Sequence, residues 1–125
     1  MSETIAKKKL VVVVTHVLDD PEKATIALVM ANAALTMEVE VTVAFQGKGV
    51  MCCTKGMYEH ILAPGLQPLK ELVDNLSKFG AKMFVCIPCI EERKIPKERL
   101  VEGLELVKAG KLINEIMRAD QVLVY

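Results

Sequence analysis

The sequence carries no excess charge of either sign: Lys and Arg number 16, Asp and Glu number 16, and the formal net charge is zero. No nucleic acid and no membrane surface is expected as a partner, because both call for a basic excess. Long apolar runs are also missing. The longest uncharged stretch, Ala24 to Met37, has 14 residues, short of the ~18 of a membrane span. Nearer the start, Leu10 to Val14 follows Lys7-Lys8-Lys9 and stops at Thr15-His16. That run is shorter than the roughly 7–15 apolar residues of a secretory signal core. Cysteine is sparse too: Cys52, Cys53, Cys86 and Cys89 are the only four in 125 residues. A secreted disulfide scaffold would be denser in cysteine and poorer in core. The expectation is a soluble, cytoplasmic protein, whose thiols act as metal ligands or reactive groups rather than as staples.

Apolar material, by contrast, is plentiful. Hydrophobic residues make up 52% of the chain and the mean hydropathy is +0.33, which excludes intrinsic disorder. No internal repeat, low-complexity tract or linker interrupts it, so residues 1–125 read as a single domain. A neutral, unusually apolar small chain is poorly suited to life as a dispersed monomer, and self-association is expected. The seven methionines mostly occupy apolar positions and read as core filler.

Strand and helix signals alternate. Leu10-Val11-Val12-Val13-Val14 is the continuous β-branched run of a strand buried on both faces of a parallel sheet. Asp19-Asp20-Pro21-Glu22 supplies an N-cap acid and then Pro in the first helical turn; the helix that follows runs to about Met37, apolar nearly all round. Val39 to Phe45 alternates as a second strand. Gln46-Gly47-Lys48-Gly49 breaks it, with Val50 to Cys53 as a short extension or bulge. Lys55 to Leu62 is expected as a short helix. Pro68 opens another, with Leu69, Leu72, Val73 and Leu76 at helical spacing and Gly80 as its stop. Met83 to Ile87 reads as a third strand, Arg99 to about Ala119 as helix divided or bent at Gly103 and Gly110, and Gln121 to Tyr125 as a last strand. This order predicts a three-layer α/β/α fold with an open, mainly parallel sheet of four to five strands.

In open α/β sheets, ligands bind outside the carboxyl ends of the strands. If the strands are parallel, His16 and all four cysteines share that edge. The spacing Cys86-Ile87-Pro88-Cys89 is that of a reactive or metal-binding thiol pair. Zinc would need further ligands from Cys52, Cys53 or His16, and neighbouring side chains on an extended chain point opposite ways; no metal is expected. A disulfide reductase of thioredoxin type is the stronger competitor, since proline precedes the second cysteine. Against it, such a motif belongs in the first βαβ unit. A binding module with incidental cysteines is the third alternative. His60 reads as a surface or packing residue.

The stretch Val85-Cys86-Ile87-Pro88-Cys89-Ile90-Glu91-Glu92-Arg93-Lys94-Ile95 resembles the cysteine segment of the DsrE/DsrF-like family, which includes the TusD-type sulfur-relay proteins. The likeness extends to Thr15-His16, the Asp-Pro-Glu helix start, Phe45-Gln46-Gly47-Lys48-Gly49-Val50 and the closing Ala119 to Tyr125. It implies that Cys86 carries sulfane sulfur as a persulfide or thiosulfonate, exchanged with a small sulfur-carrier protein or related DsrE-like subunits. It also implies trimers or hexamers and no cofactor. Arg93 matches one of the family's arginines. Lys94 stands where the family usually has glycine, Glu92 where an arginine often sits, and Cys89 where the TusD branch has a small residue. Cys89 is the second candidate, able to resolve a persulfide or share in carrying it. His16 is placed to donate a hydrogen bond to the anionic sulfur.

Overall fold

A computed structural model describes residues 7–125; the first six residues of the expected domain lie outside the described residues. Five strands form one parallel sheet: β1 (Lys9–Val14), β2 (Glu40–Phe45), β3 (Lys82–Cys86), β4 (Leu104–Val107) and β5 (Gln121–Val124). Their order across the sheet is β4-β3-β2-β1-β5. Four helices surround it: α1 (Pro21–Thr36), α2 (Leu69–Lys78), α3 (Ile87–Glu92) and α4 (Ala109–Met117).

The order of strands decides where the helices go. From β1 to β4 each step moves the same way across the sheet, so right-handed crossovers put α1, α2 and α3 on one face. The connection from β4 to β5 returns to the opposite edge, and α4 falls on the other face. The core divides accordingly. Val12, Val14, Val43, Phe45, Met83 and Val85 pack beneath α1 and α2, while Val11, Val13, Ala44 and Phe84 face α4. Alternation along each strand produces this split. α1 turns a stripe of small residues, Ala24, Ala27, Ala31 and Ala34, against the sheet and leaves Met30 exposed. It is therefore buried on one side only, not largely buried all round as its composition suggested. The Asp20 cap is confirmed: its side chain accepts the Lys23 N–H at 3.0 Å.

α4 is pinned by a buried carboxylate. Thr42 Oγ1 donates to Glu115 at 2.6 Å, and the Lys9 and Lys82 ammonium groups lie 3.2 and 3.7 Å from the same oxygen. A buried carboxylate is tolerable only with such partners. The clasp fixes the helix against β1, β2 and β3 at the amino end of the sheet.

Several expected elements are corrected. Val50 to Cys53 is not a strand extension but part of a 3₁₀ helix over Gly47–Cys53, pressed against β1. A Cβ on Gly49 would lie 2.1 Å from the Val14 carbonyl oxygen, so only glycine permits that approach. The short helix expected over Lys55 to Leu62 is reduced to a 3₁₀ turn at Tyr58–His60. The main chain of Lys55 is bonded elsewhere: its N–H donates to Arg99 O, and its carbonyl accepts from Arg99 Nη2 at 2.8 Å. The helix expected over Arg99 to Ala119 contains edge strand β4, which the turn at Gly103 (φ +88°) starts afresh. Of the methionines, Met83 is buried, but Met30, Met37 and Met117 are exposed. Among the described residues, no helix is long and apolar enough to cross a membrane.

Candidate functional site

Cys86 ends β3 and is the residue from which α3 springs, with Pro88 in the first turn. Proline is accommodated there because the first-turn N–H groups have no intrahelical partner. Thus Ile87 starts the helix rather than ending the strand, and Cys86 and Cys89 straddle a strand-to-helix corner. β3 and its neighbour β4 send their following helices to opposite faces of the sheet. Such a divergence opens a crevice at the carboxyl edge, and Cys86 lines it. The cavity there has a volume of about 280 Å³, and its walls include Ala44, Gln46, Phe84, Pro88, Lys108 and Leu112. A larger cavity of about 640 Å³ between α1 and α2 has no thiol in its wall.

The sulfur atoms of the pair are differently placed. Gly47, with φ +57°, directs its N–H at Cys89 Sγ, 3.1 Å away. Cys86 is half-buried, and burial pushes its thiol above the ordinary cysteine range. Its hydrogen bond to the Cys89 side chain pushes the same way, while the Cys89 backbone N–H and the Arg93 charge pull it down. The upward influences prevail. Arg93 is the capping residue of α3, and its Nη1 donates to the Cys89 carbonyl at 3.1 Å.

Past Arg93, α3 ends with Lys94 N–H on Glu91 O and Ile95 N–H on Ile90 O, at 3.0 and 2.9 Å. This double bond pattern requires a left-handed residue after the cap, and Lys94 has φ +54°. The glycine usual at this position in the resembling family has a plain physical reason.

His16 follows β1 at the same sheet edge. Its Nδ1 lies 2.6 Å from Asp19 Oδ2, and its carbonyl accepts the Cys52 thiol at 3.1 Å. Among the described residues, the hydrogen bonds of His16 run to these two partners and not to Cys86 or Cys89. Asp19 also accepts the Val17 N–H at 2.8 Å and meets Lys48 Nζ at 3.0 Å. The Val17 bond, then the His16 contact, holds its carboxyl far below the usual carboxylate range, against an opposing effect of burial; Lys48 assists.

Cys52 and Cys53 share the edge but not the exposure. Both are fully buried. Burial pushes the Cys52 thiol up to about 12 and the Cys53 thiol well above its ordinary value. They behave as small hydrophobes with weak donors, Cys53 bonding to Val50 O at 3.2 Å. Their chain is 3₁₀, not extended, so the expectation that neighbouring thiols point apart does not apply. Among the described residues, no group of three or more His, Cys, Asp or Glu is arranged to hold a metal ion.

A model of the DsrE/DsrF-like family matches residues 8–125. The chain belongs to the DsrE/DsrF-like family. Its members are generally connected with sulfur relay. Among curated relatives, the uncharacterized protein MJ0989 of Methanocaldococcus jannaschii is 30% identical over 94% of this chain and 99% of its own length. A second protein of that organism, MJ0760, is 28% identical over 90% of this chain, which spans only 41% of it. The crystal structure of the ychN protein from E. coli superposes with a TM-score of 0.66 at 18% identity, covering 94% of this chain and 99% of that one. At that identity the likeness establishes the α/β/α fold alone.

Lys48 and Lys108 are site neighbours that the sequence did not single out, whereas Asp19 and Gly47 stood at the expected edge without their contacts. The Asp-Asp-Pro and Gly-Lys-Gly segments were visible signals, but nothing in spacing tied Gly47 to a cysteine 42 residues away.

Proposed function

We propose that the DsrE/DsrF-like protein carries sulfane sulfur on Cys86, exchanging it with a thiol of a small sulfur-carrier protein or a related subunit. One observation carries this reading: the Cys86 thiol lines the crevice where α3 and α4 diverge from adjacent strands. Loading is attack of the Cys86 thiolate on a donor's sulfane sulfur, with the donor's S–S bond breaking and its thiolate or sulfite leaving. Delivery is attack by the acceptor thiolate on the outer sulfur, with the Cys86 thiolate leaving. Burial holds the resting thiol protonated, so a docked donor must take or displace that proton. Reactivity conditional on docking suits a relay, which must load from its own donor and not from any passing oxidant. Arg93 is placed to steady an anionic adduct through its charge. His16, tied to Asp19, serves on this reading to order the neighbouring loop.

Assembly belongs to the same proposal. Ile113, Met117 and Val124 are exposed on α4 and β5, an apolar surface suited to copies of the chain packing as trimers or hexamers. A cytoplasmic setting would keep all four thiols reduced.

The test is to incubate reduced protein with thiosulfate, tetrathionate or polysulfide and map the adducts by peptide mass. The expected result, in protein alkylated immediately after loading, is a sulfane adduct on the Cys86 peptide, removed by reductant and absent from Cys86→Ala. Equal labelling of Cys86→Ala would overturn the assignment. A reversible Cys86–Cys89 redox couple with neither a sulfane adduct nor released sulfide would favour a thiol–disulfide oxidoreductase instead.

A further inference from the structure

The two thiols at the corner are not equivalent, and the difference assigns them an order of action. Gly47 N–H is directed at Cys89 Sγ from 3.1 Å. This contact fixes the Cys89 sulfur at the corner. Cys86 caps α3 and Cys89 follows three residues on, in its first turn, a spacing that makes the two side chains neighbours. From Cys86 the open direction is the cavity walled by Ala44, Phe84 and Pro88, with Lys108 in its lining. An extra sulfur on Cys86 extends into that space, leaving Cys89 against the inner sulfur.

Resting on the sulfur-carrier reading above, we propose that Cys89 is a resolving thiol that discharges a Cys86 persulfide, closing a Cys86–Cys89 disulfide and releasing hydrosulfide into the cavity. The Cys89 thiolate attacks Cys86 Sγ, the bond from Sγ to the outer sulfur breaks, and that sulfur leaves as HS⁻. Atoms and charge balance: one thiolate and one persulfide become one disulfide and one hydrosulfide. The two cysteine sulfurs are oxidised together by two electrons, and the sulfane sulfur is reduced to sulfide. Nothing further is consumed in this step; return to the dithiol requires an external dithiol reductant. The pair is thus a branch point. Sulfur on Cys86 goes to a docked acceptor thiol, or, with none present, leaves as sulfide and locks the carrier.

The cavity beside Cys86 is mainly apolar. Few polar groups line it, and low-dielectric surroundings disfavour a charge that cannot be solvated, so the persulfide there keeps its proton and its outer sulfur leaves as HS⁻. Expulsion of hydrosulfide toward Lys108 and solvent carries the charge of the attacking thiolate out of the crevice. Cys52 and Cys53 cannot take part, because both are enclosed in the core.

The experiment uses the full reduced chain, wild type and Cys89→Ser, loaded anaerobically with glutathione persulfide and then desalted. Released sulfide is followed with time, and the cysteine peptides are mapped by mass. Wild type is expected to release one equivalent of sulfide per loaded chain and to end with a Cys86–Cys89 disulfide. Cys89→Ser is expected to keep one extra sulfur on the Cys86 peptide, with release slowed more than about a hundredfold, since an intramolecular thiol has been lost. Matching circular dichroism melts for the two proteins exclude a folding defect as the cause. Release from Cys89→Ser at the wild-type rate, or a stable adduct on wild type with no disulfide, overturns the resolving role while leaving the carrier reading intact. No extra sulfur on Cys86 in Cys89→Ser overturns the carrier reading, and the resolving role falls with it.

Discussion

Cys52-Cys53 and Cys86-Cys89 make a controlled comparison within one molecule. Both pairs follow a strand at the same edge of the sheet, and one loop touches both: Gly47 bonds to Cys89, and the 3₁₀ helix it opens carries Cys52 and Cys53. One pair is enclosed and its thiols are pushed high; the other is half-exposed at a crevice. What separates them is the direction the chain takes after the strand. After β2 it tucks inward against β1, because Gly49 allows backbone to meet backbone. After β3 it turns outward into α3. Position at the catalytic edge of an α/β sheet is therefore not enough to make a thiol functional; it must also stay outside the core.

The sharpest way to break this comparison is native-state alkylation with a small maleimide, read by peptide mass. Cys86 and Cys89 are expected to react directly. Cys52 and Cys53 should react only through opening of the structure, slower by about a thousandfold or more, since core opening costs several kcal/mol. Comparable rates for the two pairs would remove the distinction.

Next in size is the glycine that makes the inward turn. Gly49→Ala forces a Cβ onto the Val14 carbonyl, where the distance would be 2.1 Å. We expect a loss of about 2–4 kcal/mol in urea unfolding, typical of overpacking against an atom that cannot move aside. The variant should also expose Cys52 to alkylation before Cys86 changes. A loss below about 0.5 kcal/mol would mean that the loop shifts freely, and that the close packing on β1 does not enclose the pair.

The buried thiols also set a pH dependence. Free cysteine in the unfolded chain ionises near about 8.5, whereas burial places Cys52 at about 12 in the fold. Across that window the unfolded state has lost the proton and the folded state keeps it, so stability falls as pH rises. The slope is at most about 1.4 kcal/mol per pH unit for each buried thiol. Unfolding of wild type and of a Cys52→Ala/Cys53→Ala variant between pH 8.5 and 10.5, about the lower half of that window, should diverge in slope, with wild type falling faster. Parallel slopes would show that these thiols are solvated.

These contrasts also explain which parts of the molecule were legible in the sequence. β1 and β2 were readable because continuous or alternating β-branched runs have one structural use, and α2 because its apolar residues keep helical spacing. β4 was hidden: Leu104 to Val107 is four residues long, an edge strand, and looks like a helical fragment beside Ala109 to Met117. Val50-Met51-Cys52-Cys53 looks like a strand locally, and only the distant Val14 carbonyl makes it 3₁₀. At the site, the Cys86/Cys89 spacing and the Lys94 departure were visible, the latter without its cause. Contacts from Gly47 and from Asp19 to His16 and Lys48 arise from three-dimensional closure, so spacing could reveal them only in part.

The smallest expected effect concerns Arg93, which touches the reactive pair from outside. Its guanidinium is exposed and donates to the Cys89 carbonyl, and its charge lowers the Cys86 thiol against the stronger opposing effect of burial. Arg93→Ala removes that help and leaves the Cys89 backbone N–H alone to oppose burial. The alkylation rate of Cys86 near pH 8 should then fall about two- to threefold, with its pH midpoint moved upward, since solvent screens an exposed charge. Arg93→Lys keeps the charge without the fixed fork, so its rate should return toward wild type if charge is what matters. Loss of the same size in Arg93→Lys would instead assign Arg93 to fixing the end of α3, and with it the position of Cys89. Either way, unfolding free energy should change by less than about 0.5 kcal/mol, as for other exposed hydrogen bonds. The Cys52 and Cys53 rates should not move, because their protection comes chiefly from enclosure and owes nothing to the Arg93 charge.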